Sequence, residues 1–294
     1  MKVIEQSFEI IPQESGLEGI YKQIEKAGRT CYKSEDKITE GSAKKFVDML
    51  TTNCHGAMLE HGTVYLTIPD REPDEFGRMD YGNVAVGNYA GNKYSKVTYQ
   101  HYYQEPNETQ KDYCSKIPRT TVYVTTNLRV LVENGWLDDL KYQCEPTEHH
   151  EKRITVKFTT DQGILREFTR HRTFSFAVES TRYCNYSKDK FGNEITFIVP
   201  WWCTFNKNGN TEREFYNALQ FAEDFYFRML ELGWKPQQAR NVLPLATKCD
   251  MVMTGFVSDW EHFFELRCDS AAHPQARELA IPLQSWFKEN NLIN

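Results

Sequence analysis

The chain has 294 residues, 26% of them charged and 40% hydrophobic, with a formal net charge of −6; that is the make-up of an ordinary globular protein with room for one large domain or two small ones. The acidic balance argues against a protein that wraps polynucleotide, because such binding rests on a broad positive surface. Met1-Lys2-Val3-Ile4-Glu5-Gln6 lacks the apolar core of a signal peptide and no apolar run approaches the ~20 residues of a membrane span, so a cytoplasmic protein without membrane contact is expected.

Residues 2 to 11 alternate as a strand, and Leu17, Ile20, Ile24 and Ala27 recur at helical spacing. Arg29-Thr30-Cys31-Tyr32 closes that helix, and Ser42 reads as the cap of a second with Ala43, Phe46, Val47 and Leu50 inward. His55 falls in a polar turn, and Glu60-His61 opens a strand from Thr63 to Ile68. Residues 69 to 117 are rich in Gly, Asp, Asn and Tyr and read as an excursion of loops and short strands. Its tyrosines, among them Tyr81, Tyr89, Tyr94, Tyr99, Tyr102 and Tyr103, are more often packing and turn residues than stacking platforms. Gly82 to Gly87 has the spacing of a phosphate loop, but Asn88-Tyr89 stands where Lys-Ser/Thr is required, so that reading fails.

Thr120 to Thr125 reads as a strand, and Asn127 to Glu133 as a helix closed by Gly135. His149-His150-Glu151 has no third ligand at a suitable spacing and is expected on a solvated surface. Eight cysteines without a Cys-x-x-Cys pair are expected to be reduced, and no metal is implied. Ile154 to Thr160 alternates as a strand, which Asp161-Gln162-Gly163 turns into a helix. After a polar loop from Cys184 to Asn193, a short strand from Ile195 to Val199 stops at Pro200. Thr211 with Glu214 predicts a capping box for a long helix reaching Leu232 and ended by Gly233. Phe215, Leu219, Ala222, Phe225 and Met229 mark its expected core face, with Phe221 bordering it. Pro236 opens a helix carrying Arg240, and residues 247 to 256 are β-prone. Ser258 with Glu261 reads as the cap of a helix presenting His262 and Arg267, and Arg277 to Phe287 is a last helix bent at Pro282.

The chemistry concentrates between Arg170 and Tyr183, where Arg170-His171-Arg172-Thr173 is followed by Ser175, Ser180, Arg182 and Tyr183. Guanidinium groups pair bidentately with phosphate and serine hydroxyls add neutral donors, so this density of donors suits anionic oxygens. The preceding segment is helix-forming, and Glu167, Arg170 and His171 are spaced to share one face at its C-terminus. An isolated Arg-His-Arg is more often a helix end complementing its dipole, but Ser175, Ser180 and Arg182 behind it reverse that balance.

Arg-His-Arg, seven residues and then Ser resembles the signature of the flavin-dependent thymidylate synthases, and Arg182-Tyr183 continues the likeness. Further matches are His55 with Glu60-His61, Arg240-Asn241-Val242-Leu243-Pro244-Leu245, and Phe263-Phe264-Glu265-Leu266-Arg267 with Asp269-Ser270. The resemblance implies an α+β fold, a mixed or antiparallel sheet with flanking helices, in one domain spanning 1–294 with an inserted segment at about 69–153. It implies FAD as cofactor, NAD(P)H as reductant, 5,10-methylenetetrahydrofolate as carbon donor, dUMP as substrate, and a homotetramer with sites at subunit interfaces. By the same resemblance Glu60, Arg170, His171, Arg172, Thr173 and His262 lie at the flavin, with His55 beside it. Ser180, Arg182, Tyr183 and Arg240 would grip the nucleotide phosphate and sugar, Glu167 would touch the nucleotide, and Arg267 would reach the uracil carbonyl edge. Arg267, His55 and Ser180 are the candidates for a part in the chemistry, Ser180 as a donor more than as a nucleophile, because no Ser-His-Asp arrangement is readable. Ala57, Ala177, Phe256, Ser258 and Gln237 depart from the family's usual residues, and none of these removes a phosphate-binding arginine. Two other readings stay open: one-carbon transfer or hydroxymethylation of another pyrimidine nucleotide, and a non-catalytic nucleic-acid-binding module.

Overall fold

In the computed structural model, which describes residues 1–69, 84–105, 116–182, 186, 192–203 and 209–294, the opening alternation forms two short strands, β1 (Lys2–Ile4) and β2 (Ser7–Ile10). Helices α1 (Gly16–Tyr32), α2 (Ser42–Thr52) and α3 (Gly56–Leu59) follow, then β3 (Thr63–Pro69), α4 (Val84–Ala90), β4 (Lys96–Gln104), β5 (Ile117–Asn127) and α5 (Leu128–Asn134). The chain continues through β6 (Arg153–Asp161), α6 (Gln162–Phe168), β7 (Ser175–Val178), β8 (Thr196–Ile198), α7 (Asn210–Glu231), α8 (Pro236–Ala239), β9 (Lys248–Phe256), α9 (Val257–Arg267) and α10 (Pro274–Glu289). The architecture is α+β. Tyr81, Gly82, Tyr183 and most of the loop expected from Cys184 to Asn193 lie outside the described residues.

The chain divides into two compact units. One contains residues 1–12, 25–42 and 154–294; the other contains 13–24 and 43–153. In the first, β2-β6-β9-β7 form a four-stranded sheet, with β2 antiparallel to β6 and β7 antiparallel to β9, and β1 pairs in parallel with β8. Its core is aromatic: Phe158, Phe168, Phe174, Trp260, Phe263, Phe264 and Phe287 are all buried, and the Phe174 and Trp260 rings meet edge to face at 4.7 Å. Phe174 lies over Gly255 of β9, where a Cβ would come within 2.4 Å of the ring.

The second unit holds the antiparallel sheet β3-β5-β4 over a core that includes Phe46, Val47 and Leu50 from α2. Asn127 caps α5 by accepting from Val130 N at 3.2 Å, and Gly135 closes it in the left-handed region at φ 73°. The stretch expected to hold loops and short strands contains α4 and the nine-residue β4. Tyr89 in it is fully buried against Trp136 at 4.8 Å and donates to Asp139 at 2.9 Å, whereas Tyr99, Tyr102 and Tyr103 are exposed.

Other expectations need correction. Ser42 is the first residue of α2, not its cap, because its hydroxyl turns back to Thr39 and Glu25. Thr211 does not cap α7, whose flanking residue is Gly209, and the buried stripe of that helix is Leu219, Glu223 and Tyr226, leaving Phe221 and Phe225 exposed. Glu223 is tolerated inside because it accepts from Ile195 N at 2.7 Å. Asp259, not Ser258, supports the start of α9, its carboxylate accepting from Phe256 N at 3.1 Å. His150 is buried rather than solvated, 3.0 Å from the Leu66 carbonyl oxygen, and burial lowers its pKa.

Gly255→Ala is expected to lower unfolding free energy by about 1–3 kcal/mol, because neither the Phe174 ring nor the sheet backbone can yield freely. Denaturant titration checks this, and an unchanged midpoint would contradict the close packing of Phe174 on β9.

Candidate functional site

The first unit brings several signature residues to the end of α6. Asp161 starts that helix by accepting from Ile164 N at 2.8 Å, and the helix stops at Phe168 with Thr169 at its C-cap. Arg170 and His171 therefore belong to the turn after the helix, not to its last face as the spacing predicts. The turn separates them: His171 is buried, while Arg170, Arg172 and Thr173 are exposed. Ser175, read from sequence as a donor, is buried in β7.

Arg267, the last residue of α9, joins this turn. Its Nη2 donates to the Glu167 carbonyl oxygen at 2.7 Å, its Nη1 to the Glu167 carboxylate at 2.5 Å, and its Nε to His171 Nε2 at 3.0 Å. A guanidinium at the carbonyl end of α6 also complements that end's partial negative charge. Because His171 Nε2 accepts, its proton sits on Nδ1 and the ring is neutral. Burial first, then the charges of Arg267 and His262, lower the His171 pKa to about 4. The His262 ring lies 6.3 Å from that of His171, with its Nδ1 3.2 Å from Glu265 on the exposed side of α9. Arg267 keeps two further N–H groups for a guest, since a guanidinium carries five.

A second convergence surrounds Ser180. Ser180 N donates to the Cys31 carbonyl at 2.9 Å, and Arg240, which begins a 3-10 turn after α8, donates through Nη1 to Thr181 Oγ1 at 2.8 Å. Arg182 is exposed next to them in sequence. Just before them sits a charge cluster that sequence reasoning missed. Lys248 contacts Glu179 at 2.9 Å and Asp250 at 2.6 Å, and Lys33 contacts Asp250 and lies 3.6 Å from Glu179. Burial pushes the Lys248 pKa down to about 8, against the opposing charge of Glu179. Lys248 and Asp250 share one face of β9 by the two-residue period, which was the available signal; Lys33 arrives from the end of α1.

In the second unit, His55 is exposed at the start of α3 and Glu60 stands at its end, paired with Arg129 at 2.5 Å. Arg129 also binds Glu133 at 2.7 Å, and these three residues line a cavity of about 390 Å³ with Asn92, Tyr94, Asn127, Val130 and Asn134. Among the described residues no group of three or more His, Cys, Asp or Glu could hold a metal ion, and no helix is long and apolar enough to cross a membrane.

Fold and geometry together define an α+β protein with guanidinium groups gathered around the turn after one helix and the end of the following strand, an arrangement suited to anionic oxygens. The family model described as thymidylate synthase complementing protein matches residues 96–290, well over half of the sequence, and the chain belongs to that family. It is 28% identical over 143 residues to the flavin-dependent thymidylate synthase of Synechocystis sp., the match covering 47% of this chain and 66% of that protein. It is 27% identical over 150 residues to the probable flavin-dependent thymidylate synthase of Paramecium bursaria Chlorella virus 1, covering 46% and 65%. The matched part thus spans just under two thirds of the length of these relatives. A crystal structure of a UMP/dUMP methylase from Streptomyces cacaoi bound with 5-Br dUMP covers 98% of this chain at 17% identity with a TM-score of 0.42, too loose a superposition to define the fold.

With a folded-state pKa below the ordinary value of 6.5, His171 favours the native state fully above about pH 6.5, and that contribution is lost as pH falls toward 4. His171→Gln, which keeps an acceptor for Arg267, is expected to lose about 2 kcal/mol less stability than the parent between those pH values. Unfolding midpoints measured across that range check this, and parallel pH profiles would contradict a neutral, buried His171.

Proposed function

We propose that the protein is a flavin-dependent thymidylate synthase that methylates dUMP to dTMP, with 5,10-methylenetetrahydrofolate as carbon donor and NAD(P)H as reductant. The observation that carries the reading is the convergence of Arg240 on Thr181, inside the family signature, from about 60 residues away along the chain. Family membership supplies the reaction class, and the relatives named above supply the flavin.

Ser180, Arg182 and Arg240 bind the nucleotide phosphate, each with a donor and two of them with full charge. Tyr183, which lies outside the described residues, is assigned to the nucleotide by the resemblance. Arg267 donates its remaining N–H groups to a uracil oxygen and stabilises the negative charge that develops there as the ring is activated. Glu167 and the neutral His171 hold that guanidinium in one orientation before substrate arrives, so little reorganisation is left for the reaction itself.

Arg170, Arg172 and Thr173, with two exposed forked cations and a hydroxyl, are a donor set that fits the diphosphate of FAD, and His262, Glu60 and His55 keep the flavin-side roles implied by the resemblance. When bound, FAD supplies the hydride that converts the transferred methylene to a methyl group. Ser180 acts as a hydrogen-bond donor, since an unassisted hydroxyl is a weak nucleophile near neutral pH. One synthase domain with a variable segment at about 69–153, a homotetrameric assembly and a cytoplasmic location complete the proposal.

Incubation of the FAD-loaded protein with dUMP, the folate and NADPH or NADH is expected to give dTMP by mass spectrometry; a hydroxymethylated nucleotide, or no product with either reductant, would contradict the assignment. Arg182→Ala is expected to weaken dUMP binding about 10- to 100-fold, the equivalent of a charge-assisted contact worth roughly 1.5–3 kcal/mol, with flavin content retained. Arg170→Ala should instead lose flavin. Unchanged dUMP affinity in Arg182→Ala would show that the division of the site is wrong.

A further inference from the structure

Glu179 immediately precedes the anion-binding segment and is almost fully buried, its side chain only 3% exposed. A carboxylate in that position is tolerable only if its oxygens are met by donors. Glu179 Oε2 receives the Lys248 ammonium at 2.9 Å and the Asp250 backbone N–H at 3.1 Å, with Lys33 at 3.6 Å. Glu179 N in turn donates to the Asp250 carbonyl at 2.8 Å. Asp250 is held by the same two lysines and by the Thr159 hydroxyl at 2.7 Å. Glu179 is thus the point at which β9 and the end of α1 grip the chain one residue before Ser180.

We propose that Lys248 is a positioning residue for nucleotide binding: by clamping Glu179 to β9, together with Lys33, it fixes the backbone of Ser180, Thr181 and Arg182 before substrate arrives. The inference rests on the assignment of those residues to the dUMP phosphate.

The cavity beside the cluster makes the clamp consequential. About 600 Å³ of space adjoins Glu179, Lys33 and Lys248, bordered also by Tyr186, Glu194 and Thr196. Without the Lys248 charge, Glu179 has solvated space to move into, and such a move escapes the cost of an under-compensated buried carboxylate. A carboxylate that leaves also takes the acceptor from Asp250 N, which weakens the pairing of Glu179 with β9 and loosens the backbone that Ser180 directly follows. The first contact to fail is Ser180 N to the Cys31 carbonyl, and the Arg240 bond to Thr181 follows. Because Lys248 belongs to the cluster and not to the phosphate grip, its loss disorders the binding segment without removing a donor from it.

The test compares Lys248→Met and Lys248→Arg in the FAD-loaded full chain. For Lys248→Met, the dUMP Kd and KM are expected to rise about tenfold or more while kcat stays within about threefold, and Lys248→Arg should return both to within about threefold of the parent. Amide hydrogen exchange at Ser180, read without nucleotide, should speed up about tenfold or more in Lys248→Met and not in Lys248→Arg. Unchanged exchange and affinity in Lys248→Met overturn the proposal, as does a loss confined to kcat or an arginine variant no better than methionine. If Lys248→Met does not fold, Lys33→Met, which removes the outer arm of the clamp, is expected to give the same pattern at smaller amplitude, and parent-like behaviour there overturns it. A parent protein that does not bind dUMP contradicts the assignment of the substrate, and the Ser180 exchange then still decides whether Lys248 orders the segment.

Discussion

Arg267 ties the end of α9 to the end of α6, and the chemistry assigned to the signature depends on that tie. Three of its five donors are occupied, one by the Glu167 backbone carbonyl at the end of the helix, which also accepts from Arg170 N at 3.4 Å, one by the Glu167 carboxylate and one by a neutral imidazole. A charged acceptor, a helix end and a ring that cannot be protonated near neutral pH all hold the guanidinium in one plane. A long, rotamer-rich side chain that would otherwise lose its freedom on meeting substrate has lost it already during folding.

The aromatic core behind this turn explains why the tie can be rigid. His171 packs against Phe263, with ring centres 5.0 Å apart, and Phe174 seats on Gly255 and Trp260, so the turn between α6 and β7 has little room to shift. On the far side of β7 the support changes in kind, from packing to charge: Glu179, Lys248, Asp250 and Lys33 hold the strand's end where the sheet meets a polar cavity. One short strand therefore connects a dry, aromatic anchor to a wet, ionic one. The turn before this strand carries Arg170 and Arg172, and the segment just beyond it carries Arg182.

Much of this was legible in the sequence where the signal is local. The buried stripe of α2, the turn from β6 into α6 at Asp161-Gln162-Gly163, the Gly135 stop and the density of arginine after Phe168 all follow from residues a few positions apart. What the sequence hid depends on partners far along the chain. On α7 Glu223 is buried with Leu219 and Tyr226 because Ile195 N meets its carboxylate, while Phe225 of the expected face and the bordering Phe221 are exposed. His150 is buried because the Leu66 carbonyl accepts it. Arg170 and His171 looked like neighbours on one face because helical spacing was extended past the point where Thr169 ends the helix. Tying Lys33 to Glu179 and Asp250 required knowing that α1, β7 and β9 meet, which no periodicity reveals. Family resemblance brought Arg240 and Arg267 to attention, and geometry supplied what they hold.

The most direct test of the central claim is the visible absorbance spectrum of the purified, FAD-reconstituted protein before and after addition of dUMP. Guanidinium groups that hold a flavin beside a pyrimidine nucleotide predict a yellow protein whose flavin band shifts saturably as dUMP binds. Protein that retains no flavin after reconstitution, or a flavin band that dUMP leaves untouched, would contradict the account.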